Sequence, residues 1–496
     1  MRGRPAHTPI WLGDLESAHH PSLSGGRRAD VVVVGAGITG LSTALLLQQA
    51  GLTVAVLEAW RVGGGGSGAT SGHLSALPDG SLADLERRFG GEVARQAYST
   101  GALAIDRIEA FCRELRVDAD FARIPGYLWA EGPREEAALE AVGATARRLS
   151  LPLTRLRAEG LPGRLALRLD DQARIHPVRY LQALARALHE RGGRVHEFSR
   201  ALTIDPGNPC IVATPEGEVT ADHVVLATHG PVGLAPLGPS PVAAHRSYCV
   251  AMTQEGPFPD ALLWGMDAPY HHVRRHRDRL IVGGEDHRVG PRNDLVPRFE
   301  ALERWARDRL PVGEVTHRWS GQVYEPTDGL PSIGRVPGSR SVLAASGFAG
   351  AGLTFGTASA MLLAELIQGR SHPWEALYAP RPAVGAPEAE DLGASEDAWR
   401  FVQDRLSPAE VQAIDRVPRG AGRVIDVGGS RIAAYRDQGG ALHLMSALCP
   451  HAGGVVQWNE VEHRWDCPLH GERTHDLEHR AQGPQRRAEE EPEPTS

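Results

Sequence analysis

The 496-residue sequence contains no lysine; all 53 of its basic residues are arginine. Without lysine no internal Schiff base can form, which excludes pyridoxal-phosphate enzymes and lysine-dependent aldolases. The GxxxxGK[ST] phosphate loop and the strand lysine of protein kinases are excluded with it. Cysteine is scarce as well. Cys112, Cys210 and Cys249 are scattered, and Cys449 and Cys467 stand near the C-terminus. Five in this length make no disulfide framework, and a reduced, cytoplasmic setting is expected. Positive charge is in deficit, at net −8, so no nucleic-acid or anionic-membrane partner is expected. Long apolar runs are rare. The stretch from Val31 to Leu47, after Arg27-Arg28, is interrupted by Gly35, Gly37 and Gly40 and preceded by Asp30. It therefore predicts neither an export signal nor a membrane span. At about 150 residues per domain, roughly three domains are expected.

What is present begins at residue 30 with DVVVVGAGITGLSTALLLQQAGLTVAVLE. A β-branched run, Val31–Val34, is followed by Gly35, Gly37 and Gly40 in G-x-G-x-x-G spacing. An apolar helical stretch to Gln49, a second strand from Thr53 to Leu57, and Glu58 complete the pattern. This is the βαβ dinucleotide fingerprint in its full context. Gly35 permits a tight turn, Gly37 lets the backbone approach a pyrophosphate, and Gly40 brings the helix close to the strand. The pyrophosphate rests on the N–H groups of Ala36, Ile38 and Thr39 at the positive end of the helix, and Glu58 accepts from a ribose hydroxyl.

The fingerprint alone does not choose FAD over NAD. The glycine-rich loop Gly63 to Ala76 that follows is of little use to a nicotinamide dehydrogenase. At this point the chain resembles the D-amino acid oxidase (DAO, glycine oxidase-like) superfamily of flavoproteins. Further segments carry the resemblance: Gly126-Tyr127-Leu128, Ile175 to Val195, VVLATHG at 224–230, LIVGGEDH at 280–287, DGLPSIG at 328–334 and GFAGAGLTFG at 347–356. It covers about residues 29–380. It implies FAD held by Ser67, Gly68, Thr70, Ala227, Gly350, Gly352, Leu353 and Thr354 in addition to Gly35–Gly40 and Glu58. The segment 347–354 also reads from the residues alone as a helix N-terminus suited to partial negative charge, or as a small-residue packing seam.

Near the C-terminus stand Cys449-x-His451 and Cys467-x-x-His470. Two loops that each mix one Cys with one His fit a Rieske [2Fe–2S] site, with two thiolates on one iron and two imidazoles on the other. A Cys₂His₂ zinc site is the alternative, although C-x-H is shorter than the finger pattern. Residues 419–448 alternate as short strands around a Gly439-Gly440 turn, and Trp458 and Trp465 read as core. The segment resembles the Rieske domain fused to the C-terminus of some DAO-family flavoproteins. It departs from that pattern in three ways. Gly454 and Leu469 stand where a bridging cysteine pair is usual, so packing and hydrogen bonds must hold the loops. Gly471-Glu472-Arg473-Thr474 lacks the usual serine donor. The stretch HDLEHRAQGPQ, which would cover the cluster, is altered.

The expected fold is an α/β FAD-binding Rossmann-type domain interleaved with an α+β substrate domain, with a small all-β Rieske domain at the C-terminus. An arm (1–28) precedes the flavoprotein body (29–380). Within the body, FAD-binding segments fall at about 29–90, 165–235 and 321–370, and the substrate domain at about 91–164 and 236–320. A linker (381–418) with a short helix around Ser407–Ile414, the Rieske domain (419–485) and a low-complexity tail (486–496) follow.

The resemblance implies an enzyme that oxidises an amine or amino acid-like substrate by hydride transfer to flavin and relays electrons through the cluster to a one-electron acceptor. Two other readings stay open: a redox module without its own substrate, and a plain oxidase with a degenerate Rieske domain. Candidate substrate-side groups are His73, Tyr270, Arg274 and Tyr324. Arg274 suits a carboxylate, but it lies in HHVRRHRDR, which also reads as a solvated hairpin. His73 reads as a flavin-loop residue, and the resemblance admits it as a covalent attachment point. Attachment through a cysteine near the DGLP segment is not expected, because Gln322 and Val323 stand there. Sarcosine oxidase-like relatives use a lysine near the flavin to promote reaction with oxygen. A chain without lysine is therefore expected to be a dehydrogenase.

Overall fold

The computed structural model describes residues 7–13, 20–79, 81–157, 162–230, 242–289, 295–380, 416–427, 430–449, 454–460, 462–468 and 473–474. The chain divides into two units, Met1–Glu388 and Ala389–Ser496.

The first unit is built on two sheets. One has the order Ser332–Arg335, Val342–Ser346, Gly217–Leu226, Gly25–Val34, Val54–Leu57 and Arg194–His196. Its central strands are parallel, with Val31–Val34 set between His223–Leu226 and Val54–Leu57. Buried on both faces, they carry the β-branched run that the sequence shows. The helix Ile38–Gln49 crosses from the first strand to Val54–Leu57, and Gly51, at φ +90°, ends the turn after it. The helix Gly352–Ile367 packs against the helix Ile38–Gln49. Gly356 makes that approach possible, since a Cβ there would stand 2.7 Å from Ile38 Cγ2 and 2.8 Å from Thr39 Oγ1. The stretch Ala349–Ile367 is long and apolar enough to cross a membrane, but 67% of its window is buried inside the protein. It reads as a core helix.

The second sheet runs Val312–Pro326, Val242–Gln254, Arg279–Arg288, His271–His276, Leu262–Gly265, Ala122–Ala130, Leu165–Arg174 and His73–Leu74, and Leu153–Arg157 pairs with Leu165–Arg174. Residues 165–174 and 321–326 were expected among the FAD-binding segments, but they pair within this sheet. Their partners there are Ala122–Ala130 and Val242–Gln254. The helix Leu295–Arg309 covers one face, with Phe299 against Tyr248 and Trp305 stacked on His271. The other face receives the glycine-rich loop that leaves the nucleotide-binding sheet.

The second unit contains two three-stranded antiparallel sheets. These are Ala421–Val427, Ser430–Arg436 and Leu442–Ser446, and Gln457–Asn459, Arg464–Asp466 and Arg473–Thr474. Trp465 is fully buried and meets Trp458 edge to face at 5.1 Å. Trp465 shares its core with Val424, Ala433, Val456, Cys449 and Cys467. The expected linker helix and the tail lie outside the described residues.

Candidate functional site

The fingerprint forms a cradle that has no room for side chains. Gly35 has φ +107°, and a Cβ there would stand 2.5 Å from the carbonyl oxygen of Ala227 on the neighbouring strand end. A Cβ on Gly40 would overlap the Gly35 carbonyl oxygen, and one on Gly37 would stand 3.0 Å from Ser67 Oγ. Ser67 Oγ accepts the N–H of Ile38 at 3.1 Å, so the second glycine turn closes onto the helix start. That turn repeats the approach of the first, since a Cβ on Gly68 would overlap the Gly63 carbonyl oxygen. Glu58 accepts from the N–H groups of Ala36 and Trp60, each at 2.8 Å, and burial still holds its carboxyl above the ordinary value. Its remaining lone pairs suit a ribose hydroxyl.

At the far end of the loop system, Gly350 lies against Asp79 Oδ1, and Gly352, whose Cβ position is open, begins the second helix. Leu353 and Thr354 are buried, and the buried hydroxyl oxygen of Thr354 has no hydrogen-bond partner among the described residues. Neither helix carries an acid in its first turn, and the carboxyls nearest their positive ends are Glu58, which accepts the Ala36 N–H, and Asp79, beside the Gly350 N–H. Thr70 contributes through its position: its hydroxyl accepts the N–H of Gly72 at 3.2 Å and its carbonyl accepts from Trp11. A glycine cradle, two helix N-termini without an acid in the first turn, an acid at the strand end and an orphaned hydroxyl fit a flavin dinucleotide.

Antiparallel partners share a sheet face. On the face toward the glycine loop lie Arg274 with Ile281 and Ala251, and His272 with Gly283 and Cys249. Tyr270 and His73 join them: the His272 ring is 5.5 Å from Tyr270 and 5.0 Å from His73. Burial, then the nearby His272 and Arg274, hold His73 well below the ordinary imidazole value, and burial pushes His272 down to about 3. Both rings are therefore neutral. Burial also pushes the Tyr270 hydroxyl far up, and Asp79, Asp286 and Asp267 add to it.

Two of the expected groups are placed differently. Arg274 is not on a solvated hairpin: it is fully buried, donates through Nη1 to the Gly72 carbonyl at 3.0 Å and lies over Trp11. Burial brings its guanidinium down to about 9. Tyr324 pairs with Ala244, one residue out of phase with the Val323–His245 and Glu325–Ala243 pairs, so it takes the opposite face. It packs at 4.9 Å on His229 and under Gly230. The structure thus brings together His73, Tyr270 and Arg274, and leaves Tyr324 apart.

The same face carries three acids that sequence reasoning missed. Burial raises Asp286 to about 7 against a hydrogen bond from Ser247, with Asp79 and Glu325 raising it further. Asp286 Oδ1 is buried without a partner among the described residues. Burial raises Asp79 against the Gly350 N–H, and burial raises Glu325 against His245, which lies 3.5 Å away. Several acids elsewhere in this unit pair with arginine, as Asp120 does with Arg174 and Glu303 with Arg318. None of these three does so among the described residues. No local motif marks them, because they come from a loop and two strands more than 200 positions apart at the extremes.

In the second unit, Cys449 and Cys467 are both buried in one apolar core, and no disulfide joins any of the five cysteines. Cys449 N–H donates to the Gly454 carbonyl at 2.7 Å, and a bridge between Leu448 and Val455 closes the same loop. Backbone hydrogen bonding at Gly454 thus holds a loop that lacks the bridging cysteine. The buried Asp466 accepts from Asn459 Nδ2 at 2.8 Å directly before Cys467. His451, His470, Leu469 and Glu472 lie outside the described residues. Two buried, unbridged thiols on hydrogen-bonded hairpins fit the cysteine half of the expected ligand set.

Comparison with known proteins joins these sites to a family. Residues 30–366 match the family described as DAO, FAD dependent oxidoreductase. The chain belongs to the DAO family of FAD-dependent oxidoreductases. Residues 407–488 match the Rieske [2Fe-2S] domain. The DAO domain implies FAD, and the Rieske domain implies a [2Fe–2S] cluster. YhfW of Bacillus subtilis (strain 168), named as a Rieske 2Fe-2S iron-sulfur protein, is 27% identical over 481 residues, 95% of this chain and 94% of that protein. Gamma-glutamylputrescine oxidoreductase of Escherichia coli (strain K12) is 27% identical over 444 residues, 81% of this chain and 99% of that protein. The crystal structure of glycine oxidase from Geobacillus kaustophilus matches the fold with a TM-score of 0.62 at 19% identity, covering 72% of this chain and all of that one.

Proposed function

We propose that this DAO-family protein is an amine dehydrogenase, which removes hydride from the carbon beside a substrate amine nitrogen and delivers the electrons through its Rieske domain. When bound, FAD supplies the hydride acceptor and the [2Fe–2S] cluster a one-electron carrier. The observation that carries the choice of amine is the wall formed by Asp79, Asp286 and Glu325, which has no arginine partner among the described residues. Carboxyls held above their ordinary values, with one buried oxygen on Asp286 and no arginine beside them, favour a cationic ligand. The guanidinium that would take a substrate carboxylate, Arg274, is instead buried under Trp11 and bonded to Gly72.

An ammonium must lose a proton before its carbon can release hydride. Asp286, poised at about 7 with a buried, unpartnered Oδ1, is the group suited to take it at neutral pH. His73, His272 and Tyr270 stay neutral beside it and add no competing positive charge. Among the relatives, the Escherichia coli protein is named for an amine-derived substrate, which supports the same class. The absence of lysine favours a dehydrogenase over a fast oxidase.

Anaerobic mixing with a panel of amines and amino acids tests the proposal. Flavin bleaching by an amine, followed by the rhombic EPR signal of a reduced cluster, is expected. A panel that leaves the flavin oxidised, while a ferredoxin reductase reduces it, would favour the substrate-free redox module. Hydrogen peroxide formed at the rate of substrate turnover would overturn the dehydrogenase assignment.

A further inference from the structure

The glycine-rich loop that closes onto the helix start is held from its far side by three buried donors. Trp319 Nε1 donates to the Ala69 carbonyl at 2.9 Å, Trp11 Nε1 to the Thr70 carbonyl at 2.7 Å, and Arg274 Nη1 to the Gly72 carbonyl at 3.0 Å. Trp319 and Arg274 belong to the second sheet. Trp11 comes from the arm, 19 residues ahead of the segment that matches the family. It is nevertheless fully buried.

Trp11 does two things at once. Its indole N–H fixes the loop, and its ring face lies under the Arg274 guanidinium at 5.1 Å. His176 and His276 meet the same indole edge-on at 5.0 and 4.9 Å. Arg274 needs this support. Its Nε and Nη2 have no hydrogen-bond partner among the described residues, and the charges that face it are Asp120 and Asp260 against Arg174. Desolvating a cation at this cost is tolerated only where something compensates for lost water, and an aromatic face is one such group.

We infer that Trp11 is a positioning residue for the flavin site: with Arg274 it forms a strap that sets the Ala69–Gly72 backbone, and through it Ser67 at the helix start and His73 at the second sheet. The order of contacts along the loop supports this. Ser67 Oγ engages Ile38 N, and then carbonyls 69, 70 and 72 are taken in turn by the two tryptophans and the arginine. His73 follows directly, pairing with Arg174. A shift of the loop at Thr70 therefore moves the cradle and the substrate-side imidazole together.

The test uses the full chain with Trp11→Phe, which keeps the ring and removes the donor, Trp11→Ala, which removes both, and Arg274→Met. Equilibrium FAD dissociation, the visible absorption envelope of the bound flavin and its midpoint potential are read beside a thermal melt. Loss of one buried hydrogen bond predicts FAD weakened about 2–10-fold in Trp11→Phe. Trp11→Ala is expected to be weaker by a further step, with a displaced flavin envelope in both. Trp11→Phe combined with Arg274→Met is expected to weaken binding by less than the product of the two single effects, because the residues act as one strap. A Trp11→Phe protein with wild-type FAD affinity, envelope and potential would overturn the inference, as would variants that melt earlier while the flavin readouts stay unchanged. Should Trp11→Ala not fold, Trp11→Phe decides.

Discussion

Replacing Gly40 by alanine probes the cradle most directly. The added Cβ would overlap the Gly35 carbonyl oxygen, 3.1 Å from the Gly35 carbonyl carbon and 3.2 Å from Val33 Cγ1. The obstructing atoms are mostly backbone, so no side chain can swing aside. The helix start must retreat by on the order of 1 Å to restore ordinary contact. Overpacking of this kind costs about 1–3 kcal/mol, which corresponds to FAD binding weakened about 5–150-fold if the loss falls on the cradle. Two controls separate the causes. At Gly26 a Cβ meets nothing within 4 Å and the backbone is not left-handed, so alanine there is expected to be silent. At Gly51 a Cβ also meets nothing, but φ is +90°, so alanine there is expected to cost about 1–2 kcal/mol of stability without touching FAD affinity. Equilibrium dialysis of FAD, with thermal melts of the apo- and holoproteins, measures both quantities. A Gly40→Ala protein that binds FAD and melts like the wild type would refute the packing argument, and so would one that matches Gly51→Ala in losing only stability.

Three further outcomes are expected. Glu58→Gln sets an amide N–H₂ against either the Ala36 or the Trp60 N–H, and an unsatisfied buried donor costs about 1–3 kcal/mol, so FAD is expected to dissociate roughly tenfold or more faster. The Asp286 carboxyl is raised to about 7 in the fold, while an unfolded aspartate releases its proton near 4. The folded state therefore holds the extra proton between those values, and stability falls as pH rises through that window; kcat/KM for an amine rises over its upper part as the base forms. Asp286→Asn is expected to flatten both profiles, and a variant that keeps the wild-type pH profiles would remove Asp286 from that role. Cys467→Ser is expected to abolish the rhombic EPR signal while leaving flavin content unchanged; a surviving signal would reject the ligand assignment.

The parts of the site legible in the sequence are those made by neighbours in the chain. Gly35, Gly37, Gly40 and Glu58 fall within one βαβ unit, and Cys449 and Cys467 sit on adjacent short hairpins. Local spacing therefore carries their chemistry. The substrate side was less legible. Arg274 and Arg275 are indistinguishable in HHVRRHRDR, yet strand alternation buries the first completely and leaves the second partly exposed. Tyr324 and Glu325 are neighbours, and a one-residue difference in phase sends them to opposite faces.

By itself, then, the sequence determined the nucleotide fingerprint, the paired Cys/His loops, the order of the two kinds of domain and the exclusion of all lysine chemistry. The tertiary structure alone decided that Trp11, Trp319 and Arg274 meet one loop across separations of 59, 250 and 202 residues. It also decided that Asp79, Asp286 and Glu325 lie near one another with no arginine paired to them among the described residues. Contacts between distant segments depend on sheet register and burial, which local spacing does not encode.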